Sequence, residues 1–265
     1  MSDDIVVERH GYVQLVIISR PEKMNSLDFA AHERLIEIWR QFDADEQARV
    51  AVLTGTGDQA FCAGADLKTY TMDYARRPAP EFRLEYTNGP GLGGITRGME
   101  VCKPIITAIN GYAVSGGLEL ALACDIRFCS PNAEFGFQDV RWGFHPCDGG
   151  CVRLPLIVGL GNAMELILSG DRIDADHALR IGLVNQIYPQ DQLLEETLAY
   201  AEGLARRAPL AQRFAKEVIL RSLGRPMDEG LKLESRSFHD LAQTEDLAEG
   251  TSAFRERRQA RFKGR

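Results

Sequence analysis

Glu119 stands in the middle of "AVSGGLELALACD" (113–125), where two glycines open a run of small and apolar residues. Removing a carboxylate from water costs several kcal/mol or makes it hold a proton more tightly. Glu119 is therefore a surface group, a partner for a helix dipole, or a carboxylate kept in a dry pocket for chemistry. A second carboxylate, Asp139, lies in "AEFGFQDVRWGFHPCDGG" (133–150) among Gly, Pro and aromatic residues. Asp148 follows, and Arg141 is near enough in sequence to pair with either aspartate. Alone, Asp139 reads as a loop cap. Two carboxylates converging on one pocket can instead divide general-acid from general-base work.

Two glycine turns accompany these acids. In "AFCAGADLK" (60–68), Gly64 allows a tight turn after a strand, so that the amides following it can point outward. Gly116 and Gly117 lie between a strand and a helix, where N–H groups are unsatisfied and the helix dipole is positive. One amide from each turn can grip an oxygen that gains charge during a reaction, which in a dry site contributes several kcal/mol. Each turn taken singly also has the ordinary reading of a strand-to-helix connection.

The elements that must position these groups alternate in type. "VVERHGYVQLVIIS" predicts two short strands joined at His10-Gly11, and "LDFAAHERLIEIWRQFDADE" a helix with Leu35, Ile38, Trp39 and Phe42 on one face. The strand "VAVLTGTG", the strand "KPIITAINGYAV", the helix "GLELALACD" and the strand "IRFCS" follow. Repeated β-then-α units imply crossovers and largely parallel pairing, hence an α/β fold. Residues 72–94 read as a mobile loop. From about Asn162 the pattern is helical only, which predicts a C-terminal region that caps a pocket or joins subunits. The division expected is 1–195 for the catalytic core and 196–265 for the helical region.

With 265 residues, 45% hydrophobic and 26% charged, the chain can bury a sizeable core. A net charge of −7 argues against nucleic acid as the main partner, while leaving room for an anionic small molecule held by local lysines. No apolar run approaches the ~20 residues of a membrane span, and the acidic start resembles neither a secretory nor a transit signal. The six cysteines are irregularly spaced without a CxxC pair, which fits reduced thiols in the cytoplasm better than disulfides or zinc.

Taken together and in order, "SRPEKMNSLD", "AFCAGADLK", "INGYAVSGGLELALACDIRF", "AEFGFQDVRWGFHPCDGG" with "RLP" behind it, "LSGDRIDADHALRIGLVNQIYP" and "FRERRQARFKG" resemble the crotonase family of enoyl-CoA hydratases and isomerases. The resemblance runs nearly end to end. It implies a spiral of ββα units with a helical C-terminal region that forms trimers, commonly paired into hexamers. By the same resemblance the Ala65 and Gly116 amides hold the thioester carbonyl of an acyl-CoA, and Glu119 and Asp139 are the catalytic pair. Lys23, Ala63, Asp66 and Lys68 border coenzyme A, and Lys263 reaches in from a neighbouring subunit. Coenzyme A is then part of the substrate, and no separate cofactor or metal is implied.

The chain departs from the family pattern at Asp139, where the hydratases carry glutamate, and at "HPCDGGC" (145–151). Asp148 reads as a loop-shaping residue or a third pocket carboxylate. Cys147 and Cys151 fill small-residue positions, with no histidine base placed by motif and His145 the closest candidate. "VRWG" and "GGITRGMEVCKP" look most like the branch containing carnitinyl-CoA dehydratases. Retention of Glu119 favours water chemistry over a simple double-bond shift. Isomerase, decarboxylase, thioester hydrolase, C–C lyase and an RNA-binding role remain as alternatives. The acyl group is not legible, although Arg76, Arg77 and Arg83 within 72–92 can meet a polar acyl chain or stay solvated.

Overall fold

The computed structural model describes residues 4–97 and 101–265, with backbone alone for 71–75 and 85. Residues 98–100, within the "GGITRGMEVCKP" stretch, lie outside the described residues. The chain starts as an antiparallel hairpin, β1 (Ile5–His10) and β2 (Val13–Ile18), which turns at Gly11 as its residue types suggest. Helix α1 (Phe29–Ala44) follows. The Asp28 carboxylate caps it by accepting from the Ala31 amide at 3.0 Å, and it buries Leu35, Ile38, Trp39 and Phe42.

Three similar passages come next. β3 (Val50–Gly55) and β4 (Ala60–Cys62) lead to α2 (Leu67–Arg76) and α3 (Ala79–Asn88). β5 (Ile105–Ile109) and β6 (Tyr112–Val114) lead into α4 (Gly116–Ala123). β7 (Ile126–Cys129) and β8 (Glu134–Gly136) lead to α5 (Gly150–Val158) and α6 (Leu160–Ser169). In each passage the first strand joins one sheet and the second joins the other. β9 (Arg172–Asp174), α7 (Ala175–Arg180), β10 (Gln186–Ile187) and α8 (Leu193–Ala205) close both sheets. The orders are β1-β2-β3-β5-β7-β10 and β4-β6-β8-β9. All pairings are parallel except β1/β2 and β8/β9. This is the expected spiral of ββα units. Helices α9 (Pro209–Ser222), α10 (Met227–Leu241) and α11 (Glu245–Glu256) complete the chain.

Three expectations need correction. "KPIITAINGYAV" is two strands in different sheets, because the chain breaks at Asn110-Gly111. The Asn110 side chain bonds the Gly57 carbonyl at 2.7 Å, and a Cβ on Gly111 would lie 2.3 Å from the Gln59 carbonyl oxygen. The region after Asn162 is not purely helical, since β9 extends the small sheet and β10 the large one. Residues 72–94 are not a loop but mostly α2 and α3. Pro80 falls in the first turn of α3, where its missing N–H is harmless, and Phe82 stacks on Tyr86 one turn later with centroids 4.3 Å apart.

The larger core fills the space among the two sheets and α1, α4 and α5. A smaller one lies under α8, where Leu193, Ala201 and Ala205 meet Leu15, Val52, Ile106 and Phe128. Residue 195, the division read from the sequence, falls inside α8, and packing groups that whole helix with the large sheet. None of the six cysteines is in a disulfide. Among the described residues no helix is long and apolar enough to cross a membrane.

Candidate active site

β4 and β6 pair in parallel, so the turns that follow them emerge side by side. Gly64 has a φ of +89°, and a Cβ there would sit 2.8 Å from the Gly116 amide nitrogen. A Cβ on Gly116 would lie 3.4 Å from the Ala65 nitrogen, and one on Gly117 would lie 1.9 Å from the Cys62 carbonyl oxygen. The two turns thus touch backbone to backbone, which only glycine permits. Among the described residues, neither the Ala65 nor the Gly116 N–H has a backbone acceptor. Ser115, between β6 and α4, holds φ 50° and ψ −123°, a strained conformation for a residue with a side chain. Its amide donates to the Gly136 carbonyl at 2.9 Å, which ties this turn to β8.

The stretch 20–28 braces the Ala65 turn. Leu27 N–H donates to the Gly64 carbonyl and Asp66 N–H to the Leu27 carbonyl, both at 2.8 Å, while Ala63 N–H donates to the Met24 carbonyl at 3.0 Å. Asn25, itself at positive φ, donates to the Ala60 carbonyl at 2.7 Å and accepts from the Arg20 amide at 2.9 Å. Buried Arg20 donates to the Ser26 carbonyl at 2.6 Å and pairs with Asp28. Sequence reasoning missed Arg20 and Asn25 as the parts of "SRPEKMNSLD" that fix this geometry; an Arg-Pro and an Asn in one short apolar-flanked turn were the available signal.

Glu119 is 2% exposed, on the first turn of α4. Its Oε1 accepts from the Asp148 amide at 2.6 Å and the Gly150 amide at 2.8 Å. Burial first, then the Asp148 charge and to a smaller degree Asp139, push its carboxyl up to about 8, against the pull of the two amides. Asp139 lies in the first turn of the 3-10 helix 138–142 and is also buried. Burial raises its carboxyl too, opposed by the Ser115 hydroxyl, its own backbone amide and His145. Its Oδ2 is buried with no hydrogen-bond partner. The structure thus brings Glu119 and Asp139 within electrostatic reach of each other, and Cys151 feels both charges.

Asp148 is committed elsewhere. Its Oδ1 accepts from the Leu92 amide and the Thr96 hydroxyl, each at 3.0 Å, and from Arg97 Nε at 3.3 Å. Arg141 pairs with neither Asp139 nor Asp148; it pairs with Asp171, and Asp148 takes Arg97 instead. Burial raises the Cys147 and Cys151 thiols, so neither is poised as a thiolate, and exposed His145 turns Nδ1 to the Pro146 carbonyl at 2.8 Å. Arg153, which the sequence did not single out, donates to the Asp148 carbonyl at 3.2 Å and the Thr96 carbonyl at 2.8 Å.

Lys23, Ala63, Asp66 and Lys68 lie along the two strands of chain that brace each other beside the Ala65 turn, with both lysines exposed. Lys263 is elsewhere. Its amide donates to Asp246 at 2.7 Å and its ammonium lies 3.8 Å from Glu245, at a cleft of about 590 Å³ that Arg258 and Arg261 also line. Arg76 and Arg83 are exposed on α2 and α3, and Arg77 is half-buried.

Two interleaved, mostly parallel sheets, two touching glycine turns and two buried acids beside them make up an α/β site of the kind found in enzymes. A family model described as enoyl-CoA hydratase/isomerase matches residues 8–265, and the chain belongs to that family. The chain is 38% identical over 260 residues to an (E)-benzylidenesuccinyl-CoA hydratase from Thauera aromatica, covering 98% of this chain and 99% of that one. It is 35% identical over 270 residues to a carnitinyl-CoA dehydratase from Citrobacter koseri, covering all of both. The crystal structure of an enoyl-CoA hydratase from Bacillus anthracis superposes with a TM-score of 0.89 at 35% identity, covering 99% of this chain and 100% of the other.

Proposed function

We propose that this chain is a hydro-lyase that adds water reversibly to a 2-enoyl-CoA to give a 3-hydroxyacyl-CoA. The observation that carries the reading is Glu119, a buried carboxyl fixed by two backbone amides and within electrostatic reach of a second buried acid, Asp139. A family member that only shifts a double bond has no need of two such groups. The Ala65 and Gly116 N–H groups bind the thioester carbonyl oxygen, and the pair holds a water over the double bond. With one proton between them, the two carboxyls take a proton from the water as its oxygen joins C3. The electrons move onto the thioester as an enolate, which the two amides stabilise. The pair then gives a proton to C2, so its protonation is restored. Run backward, the same steps dehydrate.

Lys23 and Lys68 meet the phosphates of coenzyme A, and Ala63 and Asp66 border its adenine through their backbone. Lys263 serves a neighbouring subunit, which accords with its distance along the fold from the other four. A homotrimer, or a hexamer of two trimers, is supported by the large apolar residues left exposed, among them Leu156, Leu160 and Leu168 on α5–α6 and Phe238 on α10. Six cysteines with no disulfide among them suit the cytoplasm. A carnitinyl-CoA-type dehydratase is the second reading, favoured by the full-length likeness to the Citrobacter koseri protein.

The test is hydration of crotonyl-CoA, followed as loss of the enoyl-thioester absorbance and, by mass, as gain of one water with coenzyme A still attached. Glu119→Gln should abolish it. Wild-type turnover in that variant, or release of free coenzyme A by the wild type, overturns the reading.

A further inference from the structure

Asp148 occupies a place that the catalytic reading leaves unused. It is 4% exposed and sits in the loop before α5, with its two ends doing different things. Its backbone amide donates the shorter of the two hydrogen bonds that fix Glu119, at 2.6 Å. Its side chain gathers the segment 91–97 through the Leu92 amide, the Thr96 hydroxyl and Arg97. A Cβ on Gly91 would sit 2.8 Å from the same carboxylate oxygen, so the segment is pressed against it. Arg97 then reaches back to α3, with its guanidinium 5.5 Å from the Tyr86 ring centroid. Arg153 closes the circuit by bonding both the Asp148 and the Thr96 carbonyls.

We propose that Asp148 is a positioning residue that couples segment 91–97, and through Arg97 the end of α3, to the carboxyl group of Glu119. One residue holds Glu119 by its backbone and the α3 connection by its side chain, so a displacement of either is felt by the other. The coupling has an electrostatic part as well. The charge of Asp148 helps Glu119 keep its proton, and Arg97 partly cancels that charge. The other groups facing Glu119 are Asp139 from the 138–142 turn, Cys147 from the loop, and Cys151 and Arg153 from α5. His32 of α1 joins through Asp148 and accepts from the Gly93 amide at 3.1 Å. Among the described residues, Asp148 is the one that hydrogen-bonds both Glu119 and the neighbouring segment.

The coupling rests on the hydratase reading only for its kinetic readout. Asp148→Asn keeps the shape and the backbone bond but removes the charge, and Arg97→Gln removes the charge that masks it. The basic limb of kcat/KM against pH should move down by roughly one pH unit in D148N and up by a smaller amount in R97Q. Infrared titration of the Glu119 carboxyl stretch, with E119Q as the blank and no substrate present, should show the same opposite displacements. Opposite shifts support the proposal. Profiles that superimpose on wild type, or that move the same way in both variants, overturn it and leave Asp148 as a loop anchor. If D148N does not fold, half-exposed Arg97 still decides, since an unmoved R97Q titration is enough to refute the coupling. A wild type that titrates as expected yet hydrates nothing sinks the functional reading and not this one.

Discussion

Helix α4 and helix α10 show how differently the two parts of the chain are finished. Of the eight residues of α4, seven are buried, including a glutamate, whereas no residue of α9 or α10 is buried. The spiral closes its own core and spends some of that stability on an acid kept from water. The terminal helices instead display Ile219, Met227, Leu231 and Phe238, each more than half exposed. The spiral keeps its exposed apolar side chains mainly to α5 and α6. In α9 and α10 they are not backed by any buried residue of the same helix, and on the reading proposed above both surfaces meet further copies of the chain.

The sharpest way to break this contrast is Glu119→Gln. It should lower kcat by about 10³-fold or more while leaving the fold intact. It should also stabilise the protein. Because the folded-state value is about 8 against an ordinary 4.5, the buried acid contributes fully below 4.5 and that contribution is lost as pH rises through 8. At pH 7 the variant should therefore gain up to about 3 kcal/mol in chemical denaturation. Hydration by the wild type should for the same reason fall above pH 8, as the pair loses its shared proton. A bell that stays flat to pH 10 would contradict the assigned pair.

Gly117→Ala tests the other half of the site. Its Cβ would collide with the Cys62 carbonyl, so a loss of about 3 kcal/mol or more, seen as a lowered denaturation midpoint, is expected even though no catalytic side chain changes. Met227→Glu combined with Phe238→Glu should leave the spiral folded by circular dichroism but sediment as a monomer. A wild type that already sediments as a monomer would remove the contrast between the regions. The smallest effect belongs to Lys68→Ala. One exposed charge is worth a threefold to tenfold rise in KM, roughly, with kcat unchanged.

Local pattern made the hairpin, α1 and the two glycine turns legible, because residue spacing and turn chemistry are short-range signals. The break at Asn110-Gly111 was not, since it depends on Gly57 and Gln59 approaching from the connection between β3 and β4. β9 and β10 are two or three residues long, too short for any periodicity to register, and they exist because β8 and β7 offer open edges. The 72–94 stretch looked like a loop on its charges and prolines, and the stacking of Phe82 on Tyr86 was the overlooked helical signal. Glu119 stood out by being the wrong residue type for its surroundings. What its neighbours do was hidden: the donors to it are backbone amides, which carry no letter in the sequence, and Arg97 reaches Asp148 across 51 positions.

The contact between the Gly64 and Gly116–Gly117 turns has an evolutionary corollary. The relative placement of the Ala65 and Gly116 amides is locked by sterics, so any variant that keeps the fold inherits it. Variation is left to the acids and the helices around them, whose side chains are not pressed backbone to backbone in this way. A scaffold of this kind holds one part of its pocket constant and leaves the other open to selection.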